Sequence, residues 1–337
     1  MDLELVAKTL TELGQPKYRL TQIKKAVFQQ MAEKFSDIKE LPSDLAKELD
    51  AKVPLYSFRS SKIFHSKSGE SAKALFEFQD GKKAESVLMF HNKERITICV
   101  SSQIGCAMSC GFCATGRLGF ERNLTSEEIT DQVLFWDYFL KKDGKKTDNV
   151  VFMGMGEPFL NYDNVISAIR LLNDHTAFNI GQRHLSVSTA GVVPGIEKFA
   201  DEKLQVNLAI SLHAVNDETR SKIMPINQKY PLESLMTAAK NYVKKTNRRL
   251  MFEYLLMDGL NDSESDAKKL AKMMSENKLY FVNLILYNET GIFNPPSKER
   301  TDKFKKVLQN AGIDVIQRRR FGEDIAGACG QLAAENA

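Results

Sequence analysis

The sequence predicts an α/β protein in which parallel strands and crossover helices follow a small helical module. Three observations predict it. From residue 96 to residue 317, strand-like and helix-like segments alternate, the pattern of βαβ units that pair in parallel. Residues 56–95 instead alternate polar and apolar side chains at strand period, with no helix between. Residues 1–55 place their apolar side chains at helical spacing, broken at Gly14-Gln15-Pro16 and again before Pro42.

In chain order, Leu3, Val6 and Leu10 share one helical face. Ile23, Val27 and Met31 share a second within residues 18–31, which turns Lys24 and Lys25 outward. A third helix starts at Pro42-Ser43-Asp44 with Leu45 and Leu49 inward. Spacing alone leaves this module either a packing cap or a small nucleic-acid-binding unit. Residues 74–78 and 85–90 read as strands around the turn Gln79-Asp80-Gly81, and 96–100 opens the alternating series. Thr125-Ser126-Glu127-Glu128 is a capping box for a helix with Ile129, Val133, Trp136 and Leu140 on one face. Further strands are expected at 150–153, 185–189, 206–210, 250–256 and 281–286, with helices over 165–172, 232–243, 267–274 and 304–308. A last strand at 313–317 adds one to the six. The expected divisions are a helical module at 1–55, a β-rich connecting segment at 56–95, a core at 96–320 and a C-terminal tail at 321–337.

Composition excludes several classes. With 337 residues, 43% hydrophobic and 27% charged, the chain has the make-up of a globular protein with a sizeable core. No run of about 18 apolar residues occurs, so no membrane span is expected. The opening MDLELVAKTL lacks the basic and apolar regions of a signal peptide. Five cysteines, three of them clustered, suit a reducing compartment, so a cytoplasmic location is expected. The net charge of +4 permits a polyanionic partner without diagnosing one. Basic groups at Lys24-Lys25, Lys82-Lys83, Lys244-Lys245, Arg248-Arg249 and Arg318-Arg319-Arg320 are candidate phosphate contacts.

Residues 101–117 read SSQIGCAMSCGFCATGR. Cys106, Cys110 and Cys113 form C-x3-C-x2-C on a loop carrying Gly105, Gly111 and Gly116. Convergent thiolates bind soft metals, and cysteine is the usual ligand of iron–sulfur clusters. Three ligands close neither a four-iron cluster nor a tetrahedral zinc site. Zinc would want a fourth ligand nearby, and the flanking histidines are His91 and His175. An open iron position implies that a substrate or cofactor completes the shell.

The same motif, with Phe112 before its last cysteine, resembles the signature of the radical S-adenosylmethionine (SAM) superfamily. The resemblance implies a partial (β/α)6 barrel and a [4Fe-4S] cluster on Cys106, Cys110 and Cys113, whose fourth iron binds the amino and carboxylate groups of SAM. Functional residues of such barrels sit at the C-terminal strand ends. Polar motifs fall there: Gly154-Met155-Gly156-Glu157 after the second strand, Ser188 at the third, Ser211-Leu212-His213 at the fourth and Asn288 after the sixth. By resemblance, Gly156 and Glu157 contact the SAM amino group. Ser188, Ser211, Leu212, His213 and Asn288 contact its other polar parts. On residue type alone, the serines would be strand-end caps and His213 a core histidine.

VSSQIGC, GMGEP, STAGVVP, SLHAVND, MPIN and ACGQL, spread over about residues 15–332, resemble the RlmN/Cfr family of RNA adenosine methyltransferases. Adenine C2 and C8 are electron-poor and do not attack the methyl of SAM, so a two-stage route is needed. The resemblance implies that one SAM methylates Cys329. A second is cleaved at the cluster to a 5′-deoxyadenosyl radical, which takes hydrogen from the S-methyl group so that the methylene radical adds to the base. Cys99 then forms a disulfide with Cys329 and releases the product, and Glu85 accepts the ring proton. Two SAM are consumed per turnover.

The implied partners are 23S rRNA, methylated at C2 of a peptidyl-transferase-centre adenosine, tRNA as a second substrate through its anticodon loop, and an external electron donor such as flavodoxin. The chain is expected to act as a monomer. The alternative within the family is Cfr-type C8 methylation of the same rRNA adenosine, which confers ribosomal antibiotic resistance. Cys113-Ala114-Thr115-Gly116 and residues 220–225 lean toward Cfr, whereas Ser211-Leu212-His213-Ala214 and Gly191-Val192-Val193-Pro194 lean toward RlmN. Two departures from the family pattern are Ala326-Gly327, where Asp-Ala is common, and residues 287–296, which lack the common W/Y-N-P arrangement. A rival of another class is a non-enzymatic RNA-binding protein, which SAM cleavage by iron-reconstituted protein would exclude.

Overall fold

The computed structural model describes residues 1–91 and 95–333. Among these, the strands are β1 Phe58–His65, β2 Ser71–Phe78, β3 Lys83–His91, β4 Arg95–Cys99, β5 Gln103–Gly105 and β6 Phe120–Asn123. They continue as β7 Asn149–Phe152, β8 Leu185–Thr189, β9 Asn207–Ser211, β10 Leu250–Leu256, β11 Tyr280–Leu286 and β12 Val315–Gln317. The helices are α1 Leu3–Glu12, α2 Tyr18–Phe28, α3 Ser43–Lys52, α4 Ala114–Arg117, α5 Ser126–Lys141 and α6 Tyr162–Asn173. After them come α7 Val193–Asp201, α8 Asp217–Ile223, α9 Ile226–Lys229, α10 Leu232–Thr246, α11 Glu264–Met274 and α12 Lys298–Asn310.

A single ten-stranded sheet runs β1-β2-β3-β4-β7-β8-β9-β10-β11-β12, with β5 and β6 as a separate hairpin. From β4 through β12 every neighbour is parallel. These are the six expected core strands and the one beyond them, the sheet of a radical SAM fold. Strands β1 to β4 pair antiparallel, so the β-rich segment is hydrogen-bonded directly onto the first core strand. Parallel strands covered by helices lose polar/apolar alternation. Accordingly β10 is buried along nearly its whole length, with Glu253 the one acid in it.

The capping box is present: Thr125 accepts from Glu128 N and Glu128 returns a bond to Thr125 N. It starts α5, whose Ile129, Val133, Trp136 and Leu140 are fully buried. The N-terminal helices dock on α5 and on the turn after α6. Phe28 packs on Phe178 with ring centroids 4.7 Å apart. Tyr138 donates to Ala32 O, and Lys141 Nζ donates to Met31 O at 3.0 Å.

The expectation that Lys24 faces outward fails, because it is ion-paired with Asp174 across this junction. Most other basic groups are matched as well. Lys82 pairs with Glu121, Lys245 with Asp201, Arg249 with Asp314, Arg319 with Glu70 and Arg320 with Glu323. Arg318 lines an internal cavity. Runs of like charge in the sequence are therefore not runs of uncompensated charge on the surface. No helix among the described residues is long and apolar enough to cross a membrane.

Candidate active site

The cysteine loop is the tip of the β5–β6 hairpin. Cys106 N donates to Gly119 O at 2.7 Å and closes the loop at its base. Gly105 is required there, because its φ is +70° and a Cβ would lie 1.9 Å from Gly119 O. Gly111 N, within the loop, donates to Ile223 O at 2.9 Å and ties it to α8. All three loop thiols face one cavity at the C-terminal ends of the parallel strands. Burial pushes Cys106 up to about 12 and Cys110 well above the usual thiol range, so loading of metal there releases protons. Among the described residues no three His, Cys, Asp or Glu side chains are close enough to hold a single metal ion. The donor set, three cysteine thiols lining one cavity, fits the ligand chemistry of an iron–sulfur cluster.

The strand ends furnish the rest of the wall. Gly156, with φ +101°, brings the backbone against Gln103, whose Oε1 accepts from Glu157 N at 2.8 Å. Glu157 is buried. One carboxylate oxygen accepts from Phe159 N at 3.0 Å and the other from Ala190 N at 2.7 Å, which joins the loops after β7 and β8. Burial raises its carboxyl above the usual range against those bonds. Ser188 Oγ donates to Glu253 Oε2 at 2.7 Å. Ser211 and His213 line the cavity. His213 Nδ1 accepts from Leu255 N at 3.0 Å, and burial pushes the ring down to about 3, so it is neutral with its proton on Nε2. Its ring meets Phe112 edge-on at 5.0 Å.

Leu212 does not line this cavity. β9 ends at Ser211; Ser211 and, past the strand, His213 with its φ of +55° line the cavity, while the Leu212 side chain is fully buried in the core.

The remaining two cysteines, Cys99 and Cys329, line the same cavity. All five cysteines of the chain thus meet at one place. Burial and then the neighbouring Cys329 push Cys99 up to about 12, with Arg318 opposing them. Both thiols are free, so the Cys99–Cys329 disulfide expected from the sequence is not formed here. Cys329 is carried on a tail that lies across the cysteine loop. Ala114 N donates to Gly330 O at 2.7 Å and Thr115 Oγ1 to Leu332 O at 2.6 Å. Asn288, expected to touch SAM, donates its Nδ2 to Cys329 O at 2.9 Å.

Glu85 is not among the residues lining the cavity. It is fully buried, ion-paired with Lys73 at 2.7 Å, and accepts from Ala333 N at 2.9 Å. Val87 and Met89, on the same face of β3, do line the cavity.

The cavity suits SAM, a ligand rich in donors. Asn288 Oδ1 is a buried acceptor with no hydrogen bond among the described residues, matched to an ammonium or a ribose hydroxyl, and Glu253 Oε1 is another that has only the ion pair with Arg318 at 3.6 Å. A model of the radical SAM superfamily matches residues 100–271. The chain is 41% identical over 342 residues to the ribosomal RNA large subunit methyltransferase N of Nitrosopumilus maritimus, covering 98% of this chain and 97% of that one. The chain belongs to the RlmN family. It is 43% identical over 336 residues to a probable dual-specificity RNA methyltransferase RlmN of Dictyoglomus thermophilum, covering 99% and 95%. A crystal structure of a radical SAM methyltransferase from Sphaerobacter thermophilus superposes with a TM-score of 0.94 at 41% identity, covering 99% and 98%. Membership in this radical SAM family implies a [4Fe-4S] cluster and SAM as cofactors.

Two residues of this RlmN-family site escaped the sequence reading. Glu253 binds Ser188 and lies 3.6 Å from Arg318, and both Glu253 and Arg318 line the cavity. Glu253 had a signal, a lone acid inside the apolar run of β10. Arg318 had none, since nothing within Arg318-Arg319-Arg320 marks it out from its neighbours.

Proposed function

We propose that this chain methylates C2 of an adenosine in 23S rRNA, at the peptidyl-transferase centre, and an anticodon-loop adenosine in tRNA. The names of its relatives support RNA as substrate and the RlmN reaction over the C8 reaction. The observation that carries the reading is the meeting of all five cysteines at one cavity. Cys106, Cys110 and Cys113 hold the cluster, and Gly156, Glu157, Ser188, Ser211, His213 and Asn288 surround SAM. When bound, the reduced cluster with SAM supplies the radical chemistry that activates an S-methyl group.

The chain's own residues do the rest. Cys329 takes a methyl from a first SAM, so two SAM are used per turnover, and its activated carbon joins C2. A carboxylate then receives the C2 proton while the adduct's unpaired electron passes to a one-electron acceptor, which leaves a closed-shell thioether between Cys329 and the base. Glu85 serves once Ala333 releases it, for it shares the cavity-side face of β3 with Val87 and Met89. Cys99 thiolate attacks the Cys329 sulfur. The S–S bond forms as the S–C bond breaks, and the carbon leaves with the base and takes a proton to become a methyl group. Arg318 favours that thiolate against burial. An external thiol reductant reduces the disulfide back to the two thiols, and a flavodoxin-type donor reduces the cluster. The chain acts as a monomer in the cytoplasm.

Nucleoside mass spectrometry of RNA treated with cluster-loaded enzyme tests this. The expected product is 2-methyladenosine, with S-methyl-Cys329 in the peptide map and neither species from Cys329→Ala. A product of 8-methyladenosine would replace the C2 reading with the C8 one. Methylation that survives Cys329→Ala would overturn both.

A further inference from the structure

Arg220 on α8 is fully buried yet forms no ion pair among the described residues. Its Nε donates to Leu212 O at 3.0 Å, Nη2 to Ala190 O at 2.8 Å and to Ser211 O at 3.0 Å, and Nη1 to Asn227 Oδ1 at 3.0 Å. Every acceptor is neutral. Asn227 stands between the guanidinium and the nearest carboxylate, since its Nδ2 donates to Asp217 Oδ1 at 2.9 Å. Buried cations without an anion are strongly disfavoured, and proteins normally pair them.

The missing anion lies on the far side of the carbonyls that Arg220 holds. Ala190 and Ser211 line the cavity in front of it. Ile223 and Met224, at the end of α8, pack on Cys110, and Ile223 O receives the bond from Gly111. Arg220 also acts electrically on a cavity group, disfavouring the protonated form of His213. Burial pushes Arg220 itself down to about 10.

We propose that Arg220 is the buried counter-charge of the cluster held by Cys106, Cys110 and Cys113 and that it raises the cluster's reduction potential. The inference rests on the cluster assignment above. A reduced cluster carries one more negative charge than an oxidised one, so a fixed cation behind it favours reduction. The same guanidinium clamps the loops after β8 and β9, a geometric task that a lysine cannot reproduce because it lacks the planar fork. Charge and clamp can therefore be separated.

The experiment is an anaerobic redox titration of the cluster, followed by electron paramagnetic resonance, on wild type, Arg220→Lys and Arg220→Met, each at measured iron content. Arg220→Met is expected to lower the reduction equilibrium constant about tenfold, roughly 59 mV for a one-electron couple. Arg220→Lys keeps the charge, so it should stay close to wild type although its clamp is lost. An unshifted midpoint in Arg220→Met, or equal shifts in the Lys and Met variants, overturns the proposal. If Arg220→Met fails to hold iron, Asn227→Asp reads the same quantity by placing a carboxylate on the guanidinium. Its midpoint should fall, and an unchanged one overturns the proposal. Wild-type protein that binds no four-iron cluster would instead strike the cluster assignment.

Discussion

The two ends of the described chain are both docked on the barrel, by different physics. The N-terminal module sinks Phe28, Phe35 and Leu49, each at most 1% exposed, into the core continuous with α5. The tail from Phe321 onward buries fewer side chains, Phe321, Ile325, Ala328 and Leu332, and leans more on hydrogen bonds. Asp324 accepts from Ser66 Oγ and Lys67 N, each at 2.8 Å. Gly330 O, Leu332 O and Cys329 O accept from Ala114, Thr115 and Asn288, and Ala333 N donates to Glu85. A buried aromatic or aliphatic side chain contributes about 1.5–3 kcal/mol. A hydrogen bond that water can replace contributes only about 1 kcal/mol net. The end with fewer buried side chains carries Cys329, the proposed methyl carrier.

The largest effect should come from the fixed end. Phe28→Ala removes a fully buried ring packed against Phe178 and should cost about 3–5 kcal/mol, read as a fall in denaturation midpoint. A loss under about 1 kcal/mol would mean that the module is held no more firmly than the tail.

A smaller effect is expected at the tail. Thr115→Val keeps the shape but deletes the 2.6 Å bond to Leu332 O, and should cost about 1 kcal/mol. Hydrogen exchange should speed roughly fivefold in residues 328–333 while global stability stays nearly unchanged. An equal loss in both readings would show the tail to be part of the cooperative core.

The smallest effect is a pH dependence at the N-terminal junction. Burial pushes Asp174 up, but hydrogen bonds from Lys24 and Thr176 outweigh it and hold its carboxyl down at about 2. Because the folded value is depressed, the Lys24–Asp174 contribution is fully present above about 3.8 and is lost as pH falls from there toward about 2. Proteolysis between α2 and α3 should accelerate through that window in wild type, but not in Asp174→Asn, which has already lost the pair.

Much of this organisation was legible in the sequence. The capping box at Thr125, the strand series from residue 96 and the cysteine loop after the first core strand all follow from local spacing and turn chemistry, which act within a few residues, whereas the β5–β6 hairpin that carries the loop was not read. The GMGEP and SLHAVND segments fall at strand ends because strand period is local too. What was not legible depends on distant partners. Nothing near Lys24 announces Asp174, 150 positions away, and nothing near Glu85 announces Lys73 or the tail residue Ala333. Leu212 was assigned to the site as part of a motif, but the chain leaves β9 at Ser211 and its side chain packs into the core. Arg220 had a nearby motif but no visible role, since its partners are backbone carbonyls of other loops.

The central claim is that Cys329 carries the methyl carbon and Cys99, in the same cavity, releases it. Cys99→Ala protein, cluster-loaded and given SAM, reductant and RNA, tests this on a denaturing gel followed by mass spectrometry of the digested product. The account predicts a covalent protein–RNA species joined through the Cys329 sulfur, present in Cys99→Ala and missing from the double variant that also lacks Cys329. Free turnover by Cys99→Ala, with methylated RNA released and no joined species, would contradict it.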